Sequence, residues 1–311
     1  MTGEAPPLVA VFGPVGRDLV LCVDELPEAG SAAPVRRRRE VLGGKGANQA
    51  VTFARLGVPV ALVGVVGDDD AGEAAVAQAR ADGIDVSCLV RRPGVATGLI
   101  VEVLERNQHW RYLQDTPEAV QLTPADVRAA ADVVAHAASV VVQLQQPVES
   151  AVAAAESARA AGCRVVLDGA PGPEHRRTLL ELAHVLRADP HEAELLTGVS
   201  LGGEDDALRA AGELLRQGPE LVALAVEGGG NLFAWPDGHA YFPLDDVTAL
   251  DTTGAGDALV AALVAALDRG LPARQAGRWA VAASSLAVEH PGGRPRFTLE
   301  TLLQRVERQP E

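Results

Sequence analysis

Two glycine-rich stretches at opposite ends of the chain carry the residues best suited to chemistry. The later stretch, DTTGAGDALV, places Gly254, Ala255 and Gly256 immediately before a long apolar run. Backbone N–H groups at the start of a helix have no partners within the helix, and the helix dipole favours negative charge there. The pattern therefore predicts an anion-binding site, most simply for a phosphate group.

Asp257 follows this glycine-rich turn directly. Binding a phosphate does not need a carboxylate, but transferring a phosphoryl group to a hydroxyl needs a group that accepts the hydroxyl proton. Asp257 is therefore a candidate general base. A simple helix-capping role for the same carboxylate remains open on spacing alone.

The earlier stretch, EVLGGKGANQAV, covers residues 40–51. It is not a Walker A loop, because that motif continues from its lysine to Ser or Thr, whereas Lys45 is followed here by Gly46. Two interpretations remain. The stretch is either a plain strand-to-helix turn, or a site in which Gly44, Lys45 and Asn48 bind a polyhydroxylated ligand through mixed donors and acceptors.

The composition is typical of a large α/β protein. Hydrophobic residues make up 48% of the 311 residues and aromatic residues only 3%, so alanine, valine and leucine must build the core. With 27 basic and 42 acidic residues the net charge is −15, which argues against nucleic acid and anionic membranes as partners. Cys22, Cys88 and Cys163 are widely spaced, and no signal-like apolar run begins the chain, so a cytoplasmic location is expected.

Strand-like and helix-like segments alternate along most of the chain. Apolar runs such as LVAVF (8–12) and VALVGVVG (60–67) are separated by alanine-rich stretches with helical spacing. This rhythm predicts a mostly parallel sheet covered by helices on both faces, within a single domain over 1–311. Two segments break the rhythm, and their strands, within about 16–42 and 96–114, are expected to form a small sheet that projects from the main one.

Read together, GGKGANQA and DTTGAGD resemble the two signatures of the ribokinase/PfkB family of sugar kinases. Further segments, GPVGRD (13–18) and ADPHEAELLTG (188–198) among them, resemble family segments in the same order, so that the resemblance covers essentially the whole chain. It implies a ribokinase-like three-layer α/β/α fold with a mostly parallel central sheet and a small projecting β-sheet lid. It also implies ATP-dependent phosphorylation of a sugar hydroxyl, with conversion of D-ribose to D-ribose 5-phosphate as the first expectation.

The resemblance also implies a role for each site residue. Asp257 would be the general base, assisted by the amides of Gly254, Ala255 and Gly256. The acceptor-binding residues would be Asp18, Gly44, Lys45, Asn48, Gln145 and Asp257. The ATP-binding residues would be His191, Glu227, Gly228, Gly230 and Gly256. Glu194 would hold Mg²⁺ through water, and an activating K⁺ site would be formed by Asp251, Thr253, Ala287 and His290. The lid would close over the sugar and form a homodimer contact.

Several positions depart from the family pattern. Ribose-binding members have Asn at the position of Gly16 and Glu at the position of Gln145, and His191 replaces the Asn of the family's Asn-x-x-Glu motif. Glu227 would repel a triphosphate unless it faces away. These differences leave open a related kinase for a nucleoside, a fructose derivative or a keto-deoxy sugar acid. A non-catalytic sugar-binding protein is also open, although the intact Asp257 argues against it.

Overall fold

A computed structural model of the chain describes residues 7–106, 109–244, 252–289 and 295–309. The strands, in chain order, are β1 (Val9–Phe12), β2 (Gly16–Cys22), β3 (Arg37–Gly43), β4 (Val60–Gly67), β5 (Leu89–Arg92), β6 (Leu99–Leu104), β7 (Trp110–Asp115), β8 (Ser139–Gln143), β9 (Arg164–Asp168), β10 (Val185–Ala188), β11 (Leu221–Val226), β12 (Gly230–Trp235) and β13 (Gly238–Pro243). The helices are α1 (Lys45–Arg55), α2 (Asp70–Ala81), α3 (Pro124–Ala129), α4 (Ala131–His136), α5 (Val148–Ala160), α6 (Arg176–Leu182), α7 (Pro190–Thr197), α8 (Glu204–Leu215), α9 (Ala255–Asp268), α10 (Ala273–Val288) and α11 (Leu299–Arg308).

The central sheet contains nine strands in the order β13-β12-β11-β10-β9-β8-β1-β4-β5. Neighbouring strands from β11 to β5 run parallel, whereas β12 and β13 form an antiparallel edge. Every residue of β1 is buried, which is the burial pattern of a parallel strand that is covered on both faces.

Helices cover both faces of this sheet and form two separate cores. Val9 and Val11 of β1 pack with residues of α1, α2, α9, α10 and α11, whereas Ala10 and Phe12 pack with residues of α3 to α8. Alternate side chains of a strand point to opposite faces, so the same short strand contributes to both cores. The three-layer α/β/α fold expected from the sequence is confirmed.

A second, four-stranded sheet stands apart from the first, in the order β3-β2-β6-β7. In it β2 pairs with β3 and β6 with β7 in antiparallel fashion, and β2 and β6 run parallel. We call this small sheet the lid. It was expected from the sequence as part of the fold, and its strands follow β1 and β5 of the main sheet.

Helix α9 lies against α1 and α10, and its residues from Asp257 to Ala266 are all buried. Such an apolar helix can lie only in a protein core or a membrane. Within the part of the chain that the structure describes, no helix is long and apolar enough to cross a membrane. The core position of α9 brings its first turn to the edge of the main sheet where the parallel strands end.

Candidate active site

A cavity of about 740 Å³ lies between the carboxyl ends of the main-sheet strands and the lid. Ligands in open α/β sheets bind at this edge of the sheet. The cavity is lined by Pro14, Val15, Gly16, Arg17, Asp18, Gly44, Lys45, Asn48, Gly98, Ile100, Glu102, Tyr112, Gln114, Thr116, Val120, Gln121, Gln145, Arg187, Asp189, Thr252, Thr253, Gly254, Gly256 and Asp257. Both glycine-rich stretches of the sequence therefore reach one cavity.

The first turn of α9 forms one wall of the cavity. Gly254 precedes the helix with a φ of 76°, in the left-handed region that glycine adopts without strain, and no side chain caps this helix end. Ala255 N donates to Thr252 O at 3.3 Å, and the N–H groups of Gly256 and Asp257 in the same turn remain available to an anion. Asp257 projects from the same turn and is 6% exposed.

The start of α1 lies beside the start of α9, because the turn before α1 packs tightly on the backbone. Gly44 has a φ of 89°. A β-carbon there would overlap the carbonyl of Pro14, and one on Gly46 would come within 2.8 Å of Gly13 backbone atoms. Only glycine permits this close approach. The turn therefore has a packing role as well as lining the cavity.

Two amide side chains of α1 bind Asp257. Asn48 Nδ2 donates to Asp257 Oδ2 at 3.1 Å, and Gln49 Nε2 donates to Asp257 Oδ1 at 3.3 Å. Gln49 Nε2 also donates to Asp168 Oδ2, at the end of β9, at 2.7 Å. All four side chains are buried, so the carboxylate of Asp257 is held by contacts that leave it little freedom.

Burial and the negative charge of Asp168 raise the pKa of Asp257 to about 7. Lys45, the hydrogen bond from Asn48 and Arg187 oppose this rise. A carboxyl group with a pKa near neutrality is suited to accept and release a proton at physiological pH. This environment goes beyond what a helix cap requires.

A cluster of charged side chains lies next to Asp257. Arg187 Nη1, from the end of β10, donates to Asp168 Oδ1 at 3.0 Å and lies 3.9 Å from Glu192 Oε2. Lys45 Nζ lies 3.9 Å from Glu192 Oε1. Burial raises the pKa of the Glu192 carboxyl, and Arg187 opposes that rise.

The lid forms the opposite wall. Asp18 of β2 and Ile100, Glu102, Tyr112 and Gln114 of β6 and β7 line the cavity. Asp18 lies against Gly43, where a β-carbon would overlap its carboxyl group. Tyr112 Oη lies 2.8 Å from Thr253 Oγ1, so one hydrogen bond joins the lid to the turn before α9.

Comparison with known proteins decides the family. The model of the family described as pfkB family carbohydrate kinase matches residues 6–300. The chain belongs to the pfkB family of carbohydrate kinases. It is therefore an ATP-dependent sugar kinase by family.

Individual relatives include ribokinases. The ribokinase of Bacillus subtilis (strain 168) is 30% identical over 299 residues, which cover 95% of this chain and 99% of the relative. A bifunctional ribokinase/ribose-5-phosphate isomerase A of Fructilactobacillus sanfranciscensis is 30% identical over 287 residues, and this chain spans 53% of its length. Among solved structures, Arabidopsis thaliana ribokinase complexed with ribose and ATP has a TM-score of 0.82 and 25% identity, covering 98% of this chain and 100% of that chain.

Most residues that the family resemblance suggested for the acceptor and the chemistry come together in the cavity. Its lining includes all of the expected acceptor-binding residues: Asp18, Gly44, Lys45, Asn48, Gln145 and Asp257. Gly254 and Gly256 also line it, and Ala255 lies between them on the first turn of α9.

Most of the expected ATP-binding residues lie elsewhere. His191 is exposed on α7, and Glu227, Gly228 and Gly230 lie at the turn between β11 and β12, with Glu227 exposed. None of these four lines the cavity. The turn follows β11, whose carboxyl end lies beside that of β10. A nucleotide that extends from the cavity along this edge of the sheet would reach it.

The expected metal ligands divide into three groups. Glu194 is exposed on α7 and does not line the cavity. Thr253 lines the cavity, and Ala287 is buried near the end of α10. Asp251 and His290 lie outside the described residues.

Glu192, Arg187 and Gln49 were not among the residues expected from the sequence, although Arg187 lines the cavity and the other two contact residues that line it. Glu192 follows Asp189 by three residues, which reproduces the spacing of the family's Asn-x-x-Glu motif two residues earlier than His191 and Glu194. Asp189 and Glu192 form a reciprocal capping box at the start of α7, which the sequence Asp-Pro-x-Glu signals. No sequence signal distinguishes Arg187 or Gln49 from ordinary residues of a strand end and a helix.

Proposed function

We propose that this chain transfers the γ-phosphoryl group of ATP to a hydroxyl of D-ribose, yielding D-ribose 5-phosphate and ADP. The observation that carries the proposal is the position of the buried Asp257 carboxylate beside an uncapped helix start, in one cavity with Asp18 and Lys45. The ribokinase names of relatives that match over most of their length support ribose as the acceptor.

Each group of residues in the site has its own role in this reaction. Asp257 accepts the proton of the attacking hydroxyl, and Asn48 and Gln49 hold its carboxylate in position. The N–H groups of Gly254 to Gly256 stabilise the charge that develops on the transferring phosphoryl group. Asp18, Asn48 and Lys45 offer the acceptors and donors that a polyhydroxylated substrate needs.

Mg²⁺ would enter bound to the phosphates of ATP, whose charge it neutralises. Asp189 lines the cavity, and Glu192 on the next turn of α7 lies 3.9 Å from both Lys45 Nζ and Arg187 Nη1, so these two carboxyl groups would supply oxygen acceptors for the waters of such an ion. Among the described residues no three His, Cys, Asp or Glu side chains cluster as a direct metal cage. Mg²⁺ that keeps several of its waters suits this arrangement. We therefore propose Glu192, rather than Glu194, as the side chain that holds metal-bound water.

A K⁺ site next to the anion hole is a further proposal. Thr253 and Ala287 lie in the described part of this region, whereas Asp251 and His290 do not. A monovalent cation there would favour the anion-binding conformation of the turn before α9, and potassium would then raise turnover without contacting the substrate.

A second candidate acceptor is supported by the lining of the cavity. Gly16 has no side chain, Gln145 carries no charge, and Glu102 adds a carboxyl group to the lid wall. These positions offer ribose a different set of hydrogen-bond donors and acceptors. A ribose hydroxyl left unpaired and buried there would cost roughly 1–3 kcal/mol of binding. A nucleoside, a fructose derivative or a keto-deoxy sugar acid is therefore the alternative.

The deciding experiment measures ADP release from Mg²⁺-ATP over D-ribose, 2-deoxyribose, fructose, adenosine, cytidine, pseudouridine and 2-keto-3-deoxygluconate, each with and without K⁺. Preferential turnover of ribose that K⁺ increases supports the proposal. Preferential turnover of another compound would make that compound the acceptor in place of ribose. Asp257→Asn, prepared in parallel, reports any contaminating kinase. Absence of turnover with sugar binding retained would instead indicate a sugar-binding protein on the kinase fold.

We also propose a homodimer through the lid. Ile100, Glu102 and Tyr112 face the cavity, so the residues that alternate with them face away. With the residues of β2 that pair with them, these form an apolar stripe of Leu19, Leu21, Val101, Val103 and Leu113. Leu113 is 65% exposed. Light scattering should give twice the chain mass for the wild type and a smaller mass for Leu113→Asp.

A cytoplasmic location is proposed because all three cysteines are free.

A further inference from the structure

Arg187 is a buried cation that the family resemblance did not suggest. It lies at the carboxyl end of β10, lines the cavity, and its side chain is only 11% exposed. A buried guanidinium loses much of its hydration, so its surroundings must supply negative charge or hydrogen-bond acceptors. The contacts of each nitrogen therefore indicate what this side chain is for.

One side of the guanidinium is fixed by protein carboxylates. Nη1 donates to Asp168 Oδ1 at 3.0 Å and lies 3.9 Å from Glu192 Oε2. Asp168 is in turn held by Gln49 Nε2, the nitrogen that also binds Asp257. These contacts link the orientation of Arg187 to that of the general base.

The other side of the guanidinium faces the anion hole. A β-carbon on Gly256 would lie 2.5 Å from Nη2 and 3.0 Å from Nη1, so the guanidinium packs directly on the first turn of α9. Among the described residues Nη2 has no hydrogen-bond acceptor. A charged donor without an acceptor therefore lies beside the N–H groups of Gly256 and Asp257, which also have no backbone acceptor among the described residues.

We propose that Arg187 is a catalytic residue that binds the γ-phosphoryl group of ATP while it is transferred, opposite the backbone N–H groups of α9. This inference rests on the proposed function. In the step, the acceptor oxygen bonds to phosphorus as its proton passes to Asp257, and the bond to the β,γ-bridging oxygen breaks with its electron pair leaving on ADP. Arg187 Nη2 donates to an equatorial phosphoryl oxygen, where charge accumulates.

A purely structural role for Arg187 is the competing explanation. On that view the guanidinium only neutralises Asp168 and Glu192, and its loss harms the protein by leaving buried carboxylates unpaired. The two explanations differ for the double variant Asp168→Asn/Arg187→Met, which removes the cation together with the carboxylate it contacts most closely. Neutralisation predicts recovery of turnover in the double variant, whereas phosphoryl binding predicts none.

The first test compares turnover of Arg187→Met, Arg187→Lys and the double variant with the wild type. We expect Arg187→Met to lower kcat by about 100-fold or more, with KM for the sugar changed by less than about three-fold. Arg187→Lys should recover part of kcat, because a lysine keeps the charge but not the fork of donors. The double variant should remain as slow as Arg187→Met.

The matched control is Arg164→Met. Arg164 is a partly buried arginine of β9 that pairs with Asp268, at the amino end of the strand and away from the cavity. Its loss should lower the melting temperature while leaving kcat within about two-fold of the wild type, because a lost buried partner costs folding stability and not transition-state binding.

A second readout does not depend on turnover. Calorimetry with ADP, aluminium fluoride and sugar probes a planar phosphoryl mimic at the site, and ADP alone is the reference. Arg187→Met should weaken the fluoride-dependent binding by about ten-fold or more and leave the ADP affinity unchanged.

The outcomes separate the two proposals. Recovery of turnover in the double variant, or fluoride-dependent binding by Arg187→Met equal to that of the wild type, would overturn the role of Arg187. A wild type that releases no ADP with any acceptor would overturn the proposed function. In that case the calorimetry would still be informative. If the wild type shows fluoride-dependent binding and Arg187→Met does not, Arg187 is supported as the ligand of the anion.

Discussion

The two walls of the cavity are built in opposite ways. The catalytic wall, residues 44–49 and 254–257, consists of two helix starts that pack on each other, and Asn48, Gln49 and Asp257 are each at most 6% exposed. The lid wall is a four-stranded sheet with little core of its own, and Leu113 on its outer side is 65% exposed.

The difference follows from what each wall has to do. A general base must be held in a single geometry, because a small misplacement lowers the rate strongly, and buried hydrogen bonds provide that rigidity. A cover over a substrate must separate from the catalytic wall to admit it, so the two can share little core, and Leu42 of β3 is a lid residue that packs with the core around α1 and α9. The hydrogen bond between Tyr112 and Thr253 is one contact that such an opening would break.

The catalytic wall should be the more sensitive of the two, and Asp257 its most sensitive residue. We expect Asp257→Asn to lower kcat by about 1,000-fold or more, because the attacking hydroxyl loses its proton acceptor. Sugar binding, measured by calorimetry, should fall by less than about ten-fold.

Asp268→Asn is the matched control for this change, since Asp268 is a buried aspartate at the other end of α9, bonded to Ser139. It should reduce stability and leave kcat per folded molecule close to that of the wild type. Equal loss of turnover and of sugar binding in Asp257→Asn would mean that Asp257 acts structurally.

The next effect concerns the metal and tests two glutamates on one helix. Glu192→Gln should raise the Mg²⁺ concentration needed for half-maximal turnover by about 10–100-fold, the usual cost of removing an outer ligand of a metal site. Glu194→Gln, on the exposed side of α7, should leave it unchanged. If Glu194→Gln raised the Mg²⁺ requirement and Glu192→Gln did not, His191 and Glu194 would be the residues that correspond to the family's Asn-x-x-Glu motif.

The pH dependence probes the electrostatics of the catalytic wall. Wild-type kcat/KM should rise with pH through about 7, because Asp257 must be deprotonated to accept a proton and its pKa is raised to about 7. Asp168→Asn removes a negative neighbour that raises this pKa, while Lys45 and Arg187, which lower it, remain. The rise should therefore move to lower pH, by about half a unit or more. A rise that stays in place would show that Asp168 does not control the base.

The smallest effect is expected at the junction of the two walls. Tyr112→Phe removes the hydrogen bond to Thr253 and keeps the ring, so the closed lid should lose about 0.5–1.5 kcal/mol of stability. We expect KM for the sugar to rise by a few-fold with kcat nearly unchanged. Leu113→Ala, on the outer side of the same strand, is the comparison and should leave KM for the sugar unaltered, because this side chain faces away from the cavity. A large fall in kcat for Tyr112→Phe would mean that Tyr112 takes part in the chemical step and not only in closing the lid.

Several parts of this structure follow from local patterns. The alternation of apolar strands and alanine-rich helices predicts the three-layer fold, because strands buried on both faces need helices above and below the sheet. The run GAGD before an apolar stretch predicts a helix start with a carboxylate in its first turn, since glycine permits the left-handed turn, and the structure adds that no side chain caps this start.

Other parts depend on contacts between segments distant in the chain. Gln49 donates hydrogen bonds to Asp168 and Asp257, which lie 119 and 208 residues away in the chain. The sequence around these three residues contains no pattern that predicts the contacts. The pKa of Asp257 depends on the same assembly, because both the burial and the negative neighbour come from other elements. A raised pKa is therefore a property of the folded site and not of the motif.

The sequence by itself determined the family-like fold, the lid, the anion-binding turn and the candidate base, because each is encoded by a short pattern of residue types. Only the tertiary structure decided that Glu192 rather than Glu194 lies beside Lys45 and Arg187, and that Arg187 lies on Gly256 at the start of α9. The physical reason is that the direction of a side chain depends on the register of its helix or strand against the rest of the core. A shift of two residues on a helix turns the side chain toward the opposite face.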